Sequence, residues 1–122
     1  MIPAILRTLT SAQKVVIFSG AGLSADSGIP TFRDGATGLW ANVNPLDVAS
    51  IDGFRLNPEK VWAWHEEMYR LFNQVVSNPG HEAIACFEIL LQPRQVSVIT
   101  QNIDGLHQEA GTAHVIDEGR HP

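Results

Sequence analysis

Cysteine is nearly absent: the 122 residues include one, Cys86. A single thiol excludes a disulfide framework within the chain and a four-cysteine zinc site, so no metal-ligating residue is expected. Basic side chains are also scarce, with eight Lys and Arg against thirteen Asp and Glu and a formal charge of −5. Phosphate backbones are gripped by clustered cations, so this balance argues against direct nucleic-acid binding. No apolar run approaches the roughly 20 residues that a membrane-spanning helix requires, and residues 1–10 lack the basic start and apolar stretch of a signal peptide. No membrane partner is expected, and the cytoplasm is the default location. Internal repeats and low-complexity tracts are missing as well.

What is present is a globular composition, 44% apolar and 17% charged, on a length that suits one domain over residues 1–122. Ile5, Leu6 and Leu9 have helical spacing, and Val15-Val16-Ile17-Phe18 reads as a buried strand. From Pro30 to Phe54, Gly35, Gly38, Pro45 and Gly53 interrupt any periodicity, which predicts a long loop with short helical pieces. Asn57-Pro58 then opens an amphipathic helix carrying Val61, Trp64, Met68, Leu71, Phe72 and Val75. Asn78-Pro79 opens a second, with Ala83, Ile84, Phe87, Leu90 and Leu91 as its apolar set and Pro93 helping to end it. Val96 to Thr100 is a second buried strand, Gly111 punctuates a short helical stretch, and Val115-Ile116 opens a third strand. Cys86, between Ile84 and Phe87, is expected to be buried packing, and His65, His81 and His114 are expected on helix surfaces or loops.

The chemistry begins at Gly20-Ala21-Gly22-Leu23-Ser24-Ala25, which fits the G-x-G-x-x-[G/A] pattern after a strand. Gly20 permits the tight turn, Gly22 lets a phosphate approach the backbone, and Ala25 lets helix and strand pack closely. A pyrophosphate would lie on backbone N–H groups at the helix start; an ordinary glycine turn is the plain alternative. A dehydrogenase would also place an acid at the end of the next strand to hold a ribose. Here that strand ends Thr100-Gln101-Asn102, which argues against a hydride-transfer oxidoreductase.

Two segments go beyond spacing. Gly20-Ala21-Gly22-Leu23-Ser24-Ala25-Asp26-Ser27-Gly28-Ile29-Pro30-Thr31-Phe32-Arg33 and Thr100-Gln101-Asn102-Ile103-Asp104-Gly105-Leu106-His107 resemble the two signatures of sirtuins, NAD-dependent protein-lysine deacylases. The resemblance runs from Lys14 to Ile116 and covers about the first half of a sirtuin catalytic domain. It implies an α/β fold with an incomplete Rossmann-like parallel sheet and no zinc module. NAD is the implied cofactor, with zinc ligands missing, and an acylated-lysine protein is the implied partner. By the same resemblance Gly20, Ala21, Gly22 and Ser24 hold the pyrophosphate, and Phe32 and Arg33 belong to a cofactor-binding loop. Gln101, Asn102, Ile103 and Asp104 line the nicotinamide ribose and carboxamide pocket, with Asn102 and Asp104 in catalytic roles. Turn-capping at a strand end is the plain alternative for these last residues. His107 is read as a structural hydrogen-bonder.

The implied reaction moves an acyl group from lysine to ADP-ribose, releases nicotinamide and uses a histidine base in a V-I-E-L-H-G segment. Here Val115-Ile116 continues Asp117-Glu118-Gly119-Arg120-His121-Pro122, so Gly119 stands at the base position and His121 comes two residues late. A branch of the family that removes acidic acyl groups has a Tyr-x-x-Arg pair where this chain has His65 and Met68, so acidic acyl groups are not the expected substrates. The expectation is a sirtuin-type deacylase sequence, truncated and catalytically incomplete. The alternative is a non-catalytic module that binds NAD or ADP-ribose. Oligomeric state is left open.

Overall fold

The computed structural model describes residues 1–31 and 43–117. Phe32, Arg33, Gly119 and His121 lie outside the described residues. Along the chain come α1 (Ile2–Ser11), β1 (Lys14–Ser19), α2 (Ala21–Ala25), α3 (Pro45–Val48), α4 (Ile51–Leu56) and α5 (Pro58–Phe72). Then follow α6 (Pro79–Leu90), β2 (Gln95–Thr100), α7 (Leu106–Glu109) and β3 (Val115–Asp117). Their contacts group into two compact units, residues 1–20 with 79–122 and residues 21–78.

The first unit holds the sheet, ordered β1-β2-β3 with both pairings parallel. Parallel neighbours need crossover segments, which is why helices separate these strands in the sequence. The expected α/β, Rossmann-like parallel sheet is present. Val15 pairs with Val96, Ile17 with Val98, and Val98 with Val115. Successive side chains of a strand point to opposite faces, so this register puts Val15, Val96, Val98, Ser19 and Thr100 on one face, all of them buried. The opposite face carries Val16 and Phe18, 62% and 61% exposed, and Ile116. The expectation of a buried strand is therefore corrected for β1: among the described residues, only one face of this sheet lies in the core.

Helix α6 departs from its sequence reading in the same way. Its buried side chains are His81, Ala85 and Glu88, one stripe at helical spacing, while Ala83 and Leu90 are exposed. Cys86 projects away from that stripe and is exposed, which corrects its assignment to buried packing. His81, expected on a surface, is fully buried.

In the second unit, local capping chemistry sets the helix starts. Asn44, Ser50 and Asn57 accept from the backbone N–H groups of Leu46, Gly53 and Lys60, and Pro45 and Pro58 occupy first-turn positions. Between Pro30 and Phe54, the described part is thus the expected run of short helical pieces. Val48 is 1% exposed, and α5 buries Val61 and Met68 with Trp64, Leu71 and Phe72 half-buried, as its periodicity predicts. The helix ends at Phe72, before Val75. Gly53 lets α4 cross α3, since a Cβ there would collide with the carbonyls of Leu46 and Asp47.

Candidate functional site

Because β1 and β2 are parallel with Ser19 opposite Thr100, their carboxyl ends release the chain side by side. Ligands of open α/β sheets bind outside this edge. Here the two ends are tied together. The Gln101 N–H donates to the Ser19 carbonyl at 3.1 Å, and the Asn102 amide Nδ2 donates to the Gly20 carbonyl at 2.9 Å. Below them the Ser19 hydroxyl donates to Thr100 Oγ1 at 2.9 Å, and the Asn102 N–H donates to the same oxygen at 3.1 Å. A Cβ placed on Gly20 would lie 3.5 Å from Gln101 Oε1. Gly20, Gln101 and Asn102 are therefore gathered at one sheet edge, with half-buried Ile103 and Asp104 following in the turn. Asp104 Oδ1 accepts from the Leu106 N–H at 2.9 Å, and Gly105 takes a left-handed φ of 74° to begin α7. The turn-capping alternative thus describes one carboxylate oxygen of Asp104.

In the second unit the glycine segment continues as Ala21, Gly22 and Ser24 on α2. Gly22 is exposed, and a Cβ there would meet nothing within 4 Å. That open space fits a diphosphate approaching the backbone, the demand that G-x-G places on its second glycine. Ser24 is 1% exposed, and its carbonyl accepts from the Ser27 N–H at 3.1 Å. Asn78, 55 residues away from Leu23 in sequence, donates its amide to the Leu23 carbonyl at 2.8 Å and to Ser27 Oγ at 3.0 Å. Its buried amide holds the end of the glycine segment in place. A groove of about 810 Å³ lies between Ala25, Gly28, Ile29 and Pro30 on one side and Trp64, Glu67, Arg70 and Leu71 of α5 on the other.

The histidines divide sharply. His107 is 1% exposed and its Nε2 lies 2.8 Å from Ser19 Oγ, the hydrogen-bonding role expected for it. The His81 ring meets it edge-on at 5.3 Å. Burial lowers the pKa of His81, against the raising effects of Asp104 and Glu109. Burial and then the neighbouring His81 lower that of His107, against Asp104. Both rings therefore favour the neutral form. The His65 Nδ1–H donates to the Val61 carbonyl, 2.8 Å away within its own helix.

Glu88 was not a candidate in the sequence, yet it is 6% exposed and its two oxygens accept from the Ala113 and His114 N–H groups at 2.8 and 3.0 Å. Burial pushes its carboxyl up, but these two amides and the His114 ring outweigh that and leave the pKa lowered. The available signal was the stripe His81, Ala85, Glu88, which only matters once α6 is known to bury that face. Among the described residues no cluster of three His, Cys, Asp or Glu side chains is placed to hold a metal, so they offer zinc no donor set. No described helix is long and apolar enough to cross a membrane.

Comparison with known proteins bears on this edge directly. A family model described as the Sir2 family matches residues 20–119. An NAD-dependent protein deacylase of Ralstonia nicotianae is 47% identical over 109 residues, which cover 89% of this chain and 43% of that protein. NAD-dependent protein deacylase Sir2 of Mycolicibacterium smegmatis is 49% identical over 103 residues, 84% of this chain and 42% of its own length. Among solved structures, a Sir2 homologue in complex with NAD superposes with a TM-score of 0.80 at 41% identity, over 94% of this chain and 44% of that one. A Sir2 protein bound to an inhibitor, 2′-O-acetyl-ADP-ribose and a deacetylated peptide gives 0.74 at 33% identity, covering 94% and 44%. The chain spans less than half the length of the relatives it matches. With the glycine segment, the Gln101–Asp104 strand end and most of the chain inside the match, this protein belongs to the Sir2 family.

Proposed function

We propose that residues 1–122 form part of an NAD-binding Rossmann domain that serves protein-lysine deacylation. The observation that carries this reading is the 2.9 Å bond from Asn102 to the Gly20 carbonyl, which joins both signature segments at one sheet edge. The deacylase names and NAD complex among its relatives support the same chemistry. Gly20, Ala21 and Gly22 offer backbone N–H donors and an open approach to the diphosphate, and buried Ser24 anchors that segment. Gln101, Asn102, Ile103 and Asp104 form the wall for the nicotinamide ribose and carboxamide, with Asp104 accepting from the carboxamide and Asn102 orienting a ribose hydroxyl or a water. Phe32 and Arg33, outside the described residues, belong to the same reading as loop residues that cover the cofactor. NAD, when bound, supplies a ribose carbon from which nicotinamide leaves as the acyl oxygen of lysine takes its place.

The acylated lysine of a protein is the second substrate, and His65 with Met68, standing where the acidic-acyl branch has its Tyr and Arg, supplies no guanidinium to pair with an acidic acyl group. Gly119 stands where a base is required, and general-base help is worth roughly 10² to 10⁴ in rate, so this chain is expected to bind NAD without sustained turnover. Calorimetric titration with NAD and with ADP-ribose tests the first part, and Gly22→Val should weaken both. Equal affinity in the variant removes the glycine segment from the site. Acetyl-lysine peptide with NAD, followed for deacetylated peptide and nicotinamide, tests the second. Turnover is expected only when the chain is joined to the second half of a relative, and sustained turnover by the 122 residues alone defeats it.

A further inference from the structure

Behind the strand ends, a line of hydroxyls connects the buried histidine to the candidate site, and its hydrogen bonds run in one direction. Ser19 has one hydroxyl proton, which it donates to Thr100 Oγ1 at 2.9 Å. The direction of the 2.8 Å bond between Ser19 Oγ and His107 Nε2 depends on the ring's tautomer; a buried N–H left without an acceptor is rarer and costlier than a buried lone pair, so the unpartnered Nδ1 puts the ring proton on Nε2, which donates to Ser19. His107 is accordingly the neutral tautomer protonated at Nε2, and its Nδ1, buried with no hydrogen-bond partner among the described residues, carries the lone pair. Thr100 Oγ1 takes the Ser19 proton and also accepts the Asn102 N–H at 3.1 Å. The order His107 to Ser19 to Thr100 to Asn102 spans three separate stretches of sequence and ends at the residue whose side chain bonds Gly20.

We propose that His107 is a positioning residue whose Nε2–H orders the Ser19 and Thr100 hydroxyls and so holds the Asn102 backbone at the end of β2. The opposite tautomer would offer Ser19 a lone pair, turn its hydroxyl toward the ring and leave Thr100 without that donor. The groups that face the pair agree with a neutral ring. His81 on α6 and burial disfavour a charge on His107, while Asp104 after β2 opposes them and Glu109 of α7 acts on His81. Through Asn102 this inference rests on the cofactor-site reading above, although its two primary measurements are made without ligand.

Nitrogen NMR of the ring in the full chain should show a protonated Nε2 and an unprotonated Nδ1 at neutral pH. Ser19→Ala, a small change, cuts the line, and amide exchange at Asn102 should rise roughly tenfold relative to Val96 and Val98, the equivalent of about one hydrogen bond. His107→Leu should reproduce that selective rise, and His107→Gln, which keeps an amide donor, should largely reverse it. ADP-ribose affinity should fall in step with the exchange. A proton on Nδ1, or an unchanged Asn102 amide in Ser19→Ala, overturns the proposal, and so does a uniform rise along β2, which would make His107 mere packing. Should the exchange pattern hold while no variant or parent binds NAD, the positioning stands and the cofactor reading fails.

Discussion

The turn after β1 and the turn after β2 leave the sheet next to each other and are built by opposite means. The first works by omission: Gly22 is exposed, and beyond its own helix and chain neighbours no described atom stands within 4 Å of where its side chain would begin. The second works by attachment, since Thr100, Asn102 and Asp104 each spend polar atoms on neighbouring backbone. On the proposed reading, binding an anionic cofactor needs both. Open N–H groups must be approachable, and a wall must be rigid enough to present a carboxamide partner at one position. A rigid wall in a core costs stability when any link is removed, whereas an empty cradle costs almost nothing to fill until a ligand arrives.

The largest effect should follow from breaking the wall at its centre. Thr100 is 2% exposed, and its oxygen accepts from both Ser19 and Asn102. Thr100→Val keeps the shape but strands two donors, and a buried donor left unsatisfied costs about 1 to 3 kcal/mol. The urea midpoint should fall accordingly with an unchanged m-value. An unchanged midpoint would mean that the hydroxyl line contributes nothing to the wall.

Acid should act next, again on the second turn. Burial first, then for His107 the His81 ring, hold both buried histidines below their ordinary pKa. The unfolded chain takes up these protons near pH 6.5 and the folded chain only at lower pH, so stability is full above about 6.5 and declines as pH falls beneath it. Glu88, whose carboxyl is held low by the Ala113 and His114 amides against its burial, opens a second window. Its contribution is present above the ordinary carboxylate value of 4.5 and is lost as pH drops through the lower folded value. Urea midpoints at pH 7.5, 6 and 5 should therefore descend before the carboxylates titrate. A flat profile from 7.5 to 5 would contradict a neutral buried pair.

The difference between the turns also explains what could be read from the residues alone. Helix α5 was legible because Asn57-Pro58 and the spacing of Val61, Trp64 and Met68 act locally. Gly20 to Ser24 and Gln101 to Asp104 were legible as contiguous signatures. The line from His107 through Ser19 was not, because it joins residues 88 apart and each looks ordinary in its own segment. Burial of His81 and Glu88 was hidden for a related reason: α6 carries Leu90, 78% exposed, where an apolar stripe suggested the inner face. Val16 and Phe18 misled in the opposite sense. Their apolar character suits a sheet covered on both faces, and the described residues bury only one.

The smallest effect is the most discriminating, because it compares one glycine from each turn. Gly105 sits at φ 74°, a conformation that an L side chain enters at a cost of about 1 to 2 kcal/mol, so Gly105→Ala should lower stability by about that amount. Gly22 has no left-handed φ and open space around it, and it lies within α2, where alanine is the better helix former. Gly22→Ala should leave thermal stability unchanged or raise it by up to about 1 kcal/mol. Its expected cost appears only with ligand: the added methyl occupies the space a diphosphate would use, so the stabilisation that NAD or ADP-ribose confers on the parent should shrink in the variant. Melting curves of both variants with and without ADP-ribose separate these outcomes. Gly105→Ala should lose stability in both conditions and keep most of its ligand-induced shift, because its strain is paid in the folded state itself. If Gly22→Ala melts lower without ligand, the first turn is a structural joint like the second, and the division between cradle and wall fails.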